Sequence, residues 1–181
     1  MNIWHDINPR EITPDEFSAV IEISKGSKMK YELDKETGIM RLDRILYTST
    51  HYPANYGFIP LTYAEDLDPL DVLVICSEPI NSMTLVRVYP IGVIGMIDSG
   101  MPDEKIIAIP YSDPNYNVYH SVHELPKHIF DEMSHFFQVY KQLENKKTAV
   151  DALGGPDEAK AIIENAIVRY REHFGIKTDS E

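Results

Sequence analysis

Cysteine is nearly absent from this chain: Cys76 is the only one in 181 residues. That excludes an intrachain disulfide and any cysteine-based zinc cluster, and a reducing compartment is the simplest setting. Basic residues are also scarce, with 17 Lys plus Arg against 29 Asp plus Glu and a formal charge of −12. Nucleic acid and anionic membranes are therefore not expected as partners, because both are bound through basic surface that displaces counterions. Long apolar runs are missing, and Ile91 to Ile97 is far too short to span a bilayer. The first residues carry neither a basic segment nor an apolar one, so no signal peptide is visible and a cytoplasmic protein is expected. No repeat, low-complexity tract or Ser/Gly linker divides the chain. It reads as a single domain over residues 1–181, with Lys177 to Glu181 expected to fray.

Several reaction signatures are lacking as well. There is no G-x-x-x-x-G-K-S/T loop, no G-x-S-x-G and no H-E-x-x-H, and Cys76, read as part of a buried strand, is a poor nucleophile. What is present is ordinary globular composition, 43% hydrophobic and 25% charged. A chain of this length buries about 70% of its unfolded surface.

Strand patterns fill the first part of the chain. Phe17 to Ile23, Lys28 to Asp34 and Ile39 to Leu46 are short β-type runs, the last two joined through Glu36-Thr37-Gly38. Asp71 to Cys76 is apolar after its first residue, the pattern of a strand covered on both faces. Thr84 to Ile97 is long and β-branched, with Gly92 and Gly95 where a barrel strand would bend, and Ile106 to Ile109 closes the set. Helices come late. Leu125, Ile129, Met133, Phe136, Phe137, Tyr140 and Leu143 form one stripe, and a second follows Gly154-Gly155-Pro156. Strands first and helices afterwards predict an α+β fold, a small barrel with helices outside.

The sharpest chemical feature is Asp66-Leu67-Asp68-Pro69-Leu70-Asp71. Carboxylates so close repel, by about 4 kcal/mol per pair at about 4 Å and an effective dielectric near 20. On a free loop they would splay apart, but Pro69 stiffens this turn and Asp71 opens a buried strand. A hard divalent cation would offset the repulsion, and oxygen-only ligation points to Mg²⁺, Mn²⁺ or Ca²⁺. An EF-hand is excluded, because its glycine position is Asp71 and its bidentate glutamate position is Ser77. Asp98 and Asp103 flank a second acidic turn that would pass alone for a solvated hairpin tip. Strand phase places Arg44 in a row with Met40, Leu42 and Leu46, so an inward arginine with an anionic partner is expected, either a salt bridge or a ligand. Glu22 interrupts Val20-Ile21-Ile23, which an outward position would also explain.

Taken together, these pieces resemble the family I soluble inorganic pyrophosphatases, especially the bacterial short-chain form. They run in order from about Phe17 to Leu143: Val20-Ile21-Glu22-Ile23, Lys30-Tyr31-Glu32-Leu33-Asp34, Asp43-Arg44 and Tyr52-Pro53-x-Asn55-Tyr56-Gly57. Asp66-x-Asp68-Pro69-x-Asp71, Pro90-x-Gly92-Val93, Asp98, Asp103-x-Lys105 and His135-Phe136-Phe137-x-x-Tyr140-Lys141 complete the set. The resemblance implies a five-stranded OB-type β-barrel with flanking α-helices, and Mg²⁺-dependent hydrolysis of pyrophosphate to two phosphates. It implies several Mg²⁺ per site, with Mn²⁺ or Zn²⁺ as substitutes, and a homohexamer. By position, Asp66, Asp71, Asp98 and Asp103 resemble metal ligands, and Glu22 and Glu32 line the same acidic cavity. Asp68 resembles the general base, and Lys30, Arg44, Tyr56, Lys105, Tyr140 and Lys141 resemble groups that hold the phosphoryl ends. Leu67 departs from the pattern, because the family usually carries glycine or a small polar residue there. Two other readings stay open: a catalytically weak relative that binds metal and phosphate, and an OB-type binding module without chemistry.

Overall fold

The structure, a computed structural model, describes residues 2–175, so the expected fraying of Lys177 to Glu181 lies outside the described residues. The strands are β1 (Phe17–Ile23), β2 (Met29–Leu33), β3 (Met40–Ile45), β4 (Asn55–Phe58) and β5 (Asp71–Val74). They continue with β6 (Thr84–Asp98), β7 (Met101–Pro102), β8 (Lys105–Pro110) and β9 (Thr148–Gly154). The helices are α1 (Lys127–Val139) and α2 (Pro156–Phe174).

Five strands close into a ring. β1 pairs with β4, β4 with β5, β5 with β8, β8 with β6, and β6 returns to β1. All of these pairings are antiparallel except β5–β8. This is the α+β, OB-type arrangement expected from the sequence. The 15 residues of β6 make closure possible, because its first part pairs with β1, its middle with β8 and its end with β7 and β9. Its pairings shift register at Pro90/Gly92 and again at Ile94/Met96, the positions where Gly92 and Gly95 predict bends. Closure also requires Gly57, since a Cβ there would lie 1.8 Å from the Val20 carbonyl oxygen on β1.

β5 and β8 are buried on both faces, which is why they read as unbroken apolar runs. Val72, Val74, Ile106 and Ala108 pack in a cluster with Ala159, Ile163 and Ile167 of α2. Leu73, Ile107 and Ile109 face Phe130, Met133, Phe136 and Phe137 of α1. Truncating the Leu, Ile, Met or Phe members of these clusters to Ala would cost about 2–5 kcal/mol.

Three expectations need correction. β5 ends at Val74, so Cys76 lies beyond the strand and is half-buried. The first helical stripe stops at Val139, and Leu143 is 65% exposed. Arg44 does not share an apolar row with Leu42. β2 and β3 form a separate two-stranded sheet in which Lys30 faces Arg44 and Tyr31 faces Leu42, so Asp43 is an extra residue. That bulge breaks the alternation, and Leu42 is 49% exposed. β4 and β9 were not anticipated as strands.

Candidate active site

One cavity of about 240 Å³ gathers nearly every residue singled out from the sequence. Glu22, Lys30, Glu32, Tyr56, Asp66, Asp68, Asp71, Asp98, Asp103, Lys105, Tyr140 and Lys141 all line it. Arg44 alone of the candidate set does not.

The centre is built by the β5–β8 pairing, whose parallel register sets Asp71 beside Lys105. Lys105 is 1% exposed, and its Nζ donates to Asp71 Oδ2 at 2.7 Å, Asp103 Oδ1 at 2.9 Å and the Tyr56 hydroxyl at 3.1 Å. Tyr56 in turn donates to the same Asp71 oxygen at 2.6 Å. The rings of Tyr56 and Phe137 lie 5.3 and 5.2 Å from the ammonium. Burial pulls the Lys105 pKa down, but Asp71 and Asp103 outweigh it and leave the lysine firmly charged. Burial and the neighbouring carboxylates raise the Tyr56 phenol, so it stays a donor.

The second acidic turn is a tight hairpin, with Ser99 at φ 52° and Gly100 at φ 84° between Asp98 and Met101. It delivers Asp98 to Lys141, with which it forms an ion pair, and Asp103 to Lys105. Burial works against ionisation of Asp98, yet the Lys141 contact holds its pKa below the usual value. Asp103 is shifted the other way, raised by burial and by Asp71 despite Lys105.

The loop before β5 is tied internally. Asp66 Oδ1 accepts the Asp68 N–H at 3.2 Å, and the Thr62 hydroxyl accepts the Leu70 N–H at 2.9 Å. Leu67 sits at φ 70° and is 64% exposed, so its side chain points away from the cavity while its backbone takes a conformation suited to glycine. Burial, then Asp103, raises the Asp66 pKa. Glu22 is not outward: it is buried, accepts the Leu33 N–H at 2.9 Å, and burial pushes its carboxyl up to about 8.

The remaining cations are held on the β2–β3 sheet. Lys30 pairs with Glu32 and lies 3.5 Å from Asp43. Arg44 pairs with Asp43 and Glu144 and stands aside from the cavity. Two participants escaped sequence reasoning. Lys35 pairs with Asp68 and lies 5.5 Å from the ring centre of Trp4, and both Lys35 and Trp4 line the cavity. Lys35 extends the alternation of charges beyond Asp34, a faint signal; nothing in the sequence places Trp4 there.

Six carboxylates with oxygen donors only are the right chemistry for a hard divalent cation, and burial first, then neighbouring carboxylates, raises Glu22, Asp66 and Asp103. As the side chains stand, no three of them among the described residues converge to ligate one ion. Asp71 and Asp103 converge instead on the Lys105 ammonium.

Residues 19–171 match the family model described as inorganic pyrophosphatase. The chain belongs to the inorganic pyrophosphatase family. It is 47% identical over 171 residues to soluble inorganic pyrophosphatase 2 of Chlamydomonas reinhardtii, spanning 94% of this chain and 89% of that one. Among solved structures, the inorganic pyrophosphatase of Helicobacter pylori is 42% identical, with a TM-score of 0.85 over 87% of this chain and 95% of the other. That of Thermus thermophilus is 33% identical, with a TM-score of 0.90 over 94% and 99%. For an inorganic pyrophosphatase the cavity has apt contents: seven carboxylates and four lysines line it, an excess of acid that divalent cations would offset. No helix among the described residues is long and apolar enough to cross a membrane.

Proposed function

We propose that this chain hydrolyses pyrophosphate to two orthophosphates in a Mg²⁺-dependent reaction. The observation that carries the proposal is the single cavity in which six carboxylates, the Asp68 carboxylate and the cations Lys30, Lys105 and Lys141 meet. Pyrophosphate is a compact polyanion with no carbon skeleton, so a site for it needs charge and hydrogen-bond donors and little else.

In this reading Asp66, Asp71 and Asp103 would hold a first Mg²⁺, and Asp71 would also contribute to holding a second. Asp98 and Asp103 hold ions that arrive with substrate, while Glu22 and Glu32 complete the acidic wall. When bound, the ions acidify the attacking water and draw charge from the phosphoryl oxygens. Asp68 accepts the proton of that water, and its exposure at the cavity edge leaves room for the approach. Lys30, Arg44, Tyr56, Lys105, Tyr140 and Lys141 hold the two phosphoryl ends. The lysines act as point charges, whereas Arg44 offers a planar fork. Mn²⁺ or Zn²⁺ serve as substitutes. The working form is a cytoplasmic homohexamer, and residues 1–181 make up one domain.

Phosphate release from pyrophosphate, with Mg²⁺, with added chelator and beside a nucleoside triphosphate control, tests the proposal. Fast release confined to pyrophosphate and abolished by chelator is expected. Tight Mg²⁺ binding without release would favour the catalytically weak relative instead. Asp68→Asn should lower turnover by about 10²–10⁴-fold while metal binding persists.

A further inference from the structure

Arg44 and Glu144 form a partly buried ion pair that leaves both partners poorly satisfied. Arg44 Nε lies 2.8 Å from Glu144 Oε1, and their side chains are 17% and 8% exposed. The contact is close but misaligned: Arg44 Nε and Nη2 and Glu144 Oε2 are buried without a hydrogen-bond partner among the described residues. Nη1 is taken by Asp43. Unused donors on a buried guanidinium are costly, and its planar fork is better matched by a phosphate than by one skewed carboxylate.

Glu144 ends a short 3-10 turn, Gln142–Glu144, whose backbone folds back on Lys141. The Glu144 and Lys146 N–H groups both donate to the Lys141 carbonyl, at 3.0 and 3.3 Å. The carboxylate that holds Arg44 therefore belongs to the same turn that sets Tyr140 and Lys141 on the cavity wall. Arg44 is absent from that wall, although its cross-strand partner Lys30 lines it.

We propose that Glu144 is an internal counter-anion that parks Arg44 beside the cavity, and that an incoming phosphate takes the guanidinium from it. This rests on the reading of Arg44 as a phosphate-holding group. Burial pulls the Arg44 pKa down, and Asp43 and Glu144 together more than restore it. Exchanging Glu144 for phosphate keeps the guanidinium paired in both positions, while the Glu144 carboxylate gives up its cation and bears the cost of the exchange. The exchange also lowers phosphate affinity below what the cavity's cations alone would give, which helps an enzyme whose two products are both phosphate. Glu144 acts through Arg44 and is a positioning residue.

The test is calorimetric titration of the full chain with inorganic phosphate in Mg²⁺, for the parent protein, Glu144→Gln and Glu144→Asp, each repeated in an Arg44→Ala background. Glu144→Gln is expected to tighten phosphate about tenfold, and Glu144→Asp by less. Neither should change affinity once Arg44 is gone. A role confined to stability would shift melting in both backgrounds and leave phosphate affinity alone. Unchanged or weaker binding by either folded variant, or the same gain without Arg44, overturns the proposal. Calorimetry does not depend on turnover. Failure to hydrolyse pyrophosphate would therefore sink the proposed function separately, while full turnover with no Glu144 effect would sink only this inference.

Discussion

The closed ring and the β2–β3 sheet supply the same cavity by different means. From the ring come Asp71, Tyr56 and Lys105, fixed by strand register and joined by aligned hydrogen bonds of 2.6 to 3.1 Å. From the two-stranded sheet come Lys30 and Glu32, with Arg44 standing beside the cavity, all held by ion pairs on a surface whose residues are mostly exposed or half-buried. One half is a scaffold that fixes charges before anything binds. The other is a set of charges that can exchange partners, as a site must when anions enter and leave. The ring half is tied by hydrogen bonds around one buried ammonium, and the other half by ion pairs on a two-stranded sheet.

The sharpest test of that division is Lys105→Met. It should abolish most turnover and also destabilise the fold by about 3–5 kcal/mol, because Asp71 and Asp103 would be left facing each other without their cation. Thermal melting with and without Mg²⁺ checks it: a melting temperature equal to the parent's would mean that the ring half is no more prebuilt than the other. Lys30→Gln should contrast with it, weakening phosphate binding about tenfold while stability changes by less than about 0.5 kcal/mol. A large drop in melting temperature for Lys30→Gln would erase the distinction.

Glu22 probes the seam between the halves, since it lies on β1 and accepts a bond from Leu33 of β2. Its folded pKa of about 8 lies above the ordinary 4.5, so the folded state binds the proton more tightly than the unfolded one. The stabilisation this gives is complete below pH 4.5 and is lost as pH rises through 8. In metal-free protein the melting temperature should fall across that window, and Glu22→Gln should flatten the fall. An identical slope in the variant would assign the pH dependence elsewhere. The smallest effect belongs to Leu67→Gly. Relief of the positive φ is worth about 1–2 kcal/mol and glycine's extra freedom returns most of it, leaving a gain near 0.5 kcal/mol. Scanning calorimetry should find a rise of about 1–2 °C, and a lowered melting temperature would show that the side chain of Leu67 makes contacts worth more than its strain.

The ring was the more legible half in the sequence. β1 matches its predicted span at both ends, and the double-sided burial of β5 and the bends of β6 could be read from apolar runs and two glycines. The spans escaped where chemistry masks pattern. Asn55–Phe58 looks like a turn because Pro53, Asn55 and Gly57 crowd it, yet buried Asn55 bonds to Lys25, Ile80 and Glu78 and so pins two loops. Thr148–Gly154 contains Ala and Asp, poor strand formers, and pairs only with β6. At the site, acidic spacing pointed directly to Asp66, Asp68 and Asp71, whereas Asp98, Asp103 and Glu32 entered only through the family resemblance. Phase failed for Arg44 because one extra residue, Asp43, inverts alternation and leaves no mark in composition. Glu22 and Lys35 took their places from tertiary contacts that no local window contains.

The parallel pairing of β5 with β8 has a further consequence for how the protein acquires activity. Asp71 and Lys105 are 34 positions apart in the chain and become neighbours only when these strands lock in a single register. Slippage by one residue would turn one of them to the opposite face. Such distant, parallel contacts are slow to form during folding. In a refolding experiment, recovery of secondary structure should therefore run ahead of recovery of turnover, so that catalysis itself serves as the clock for the last strand to be set.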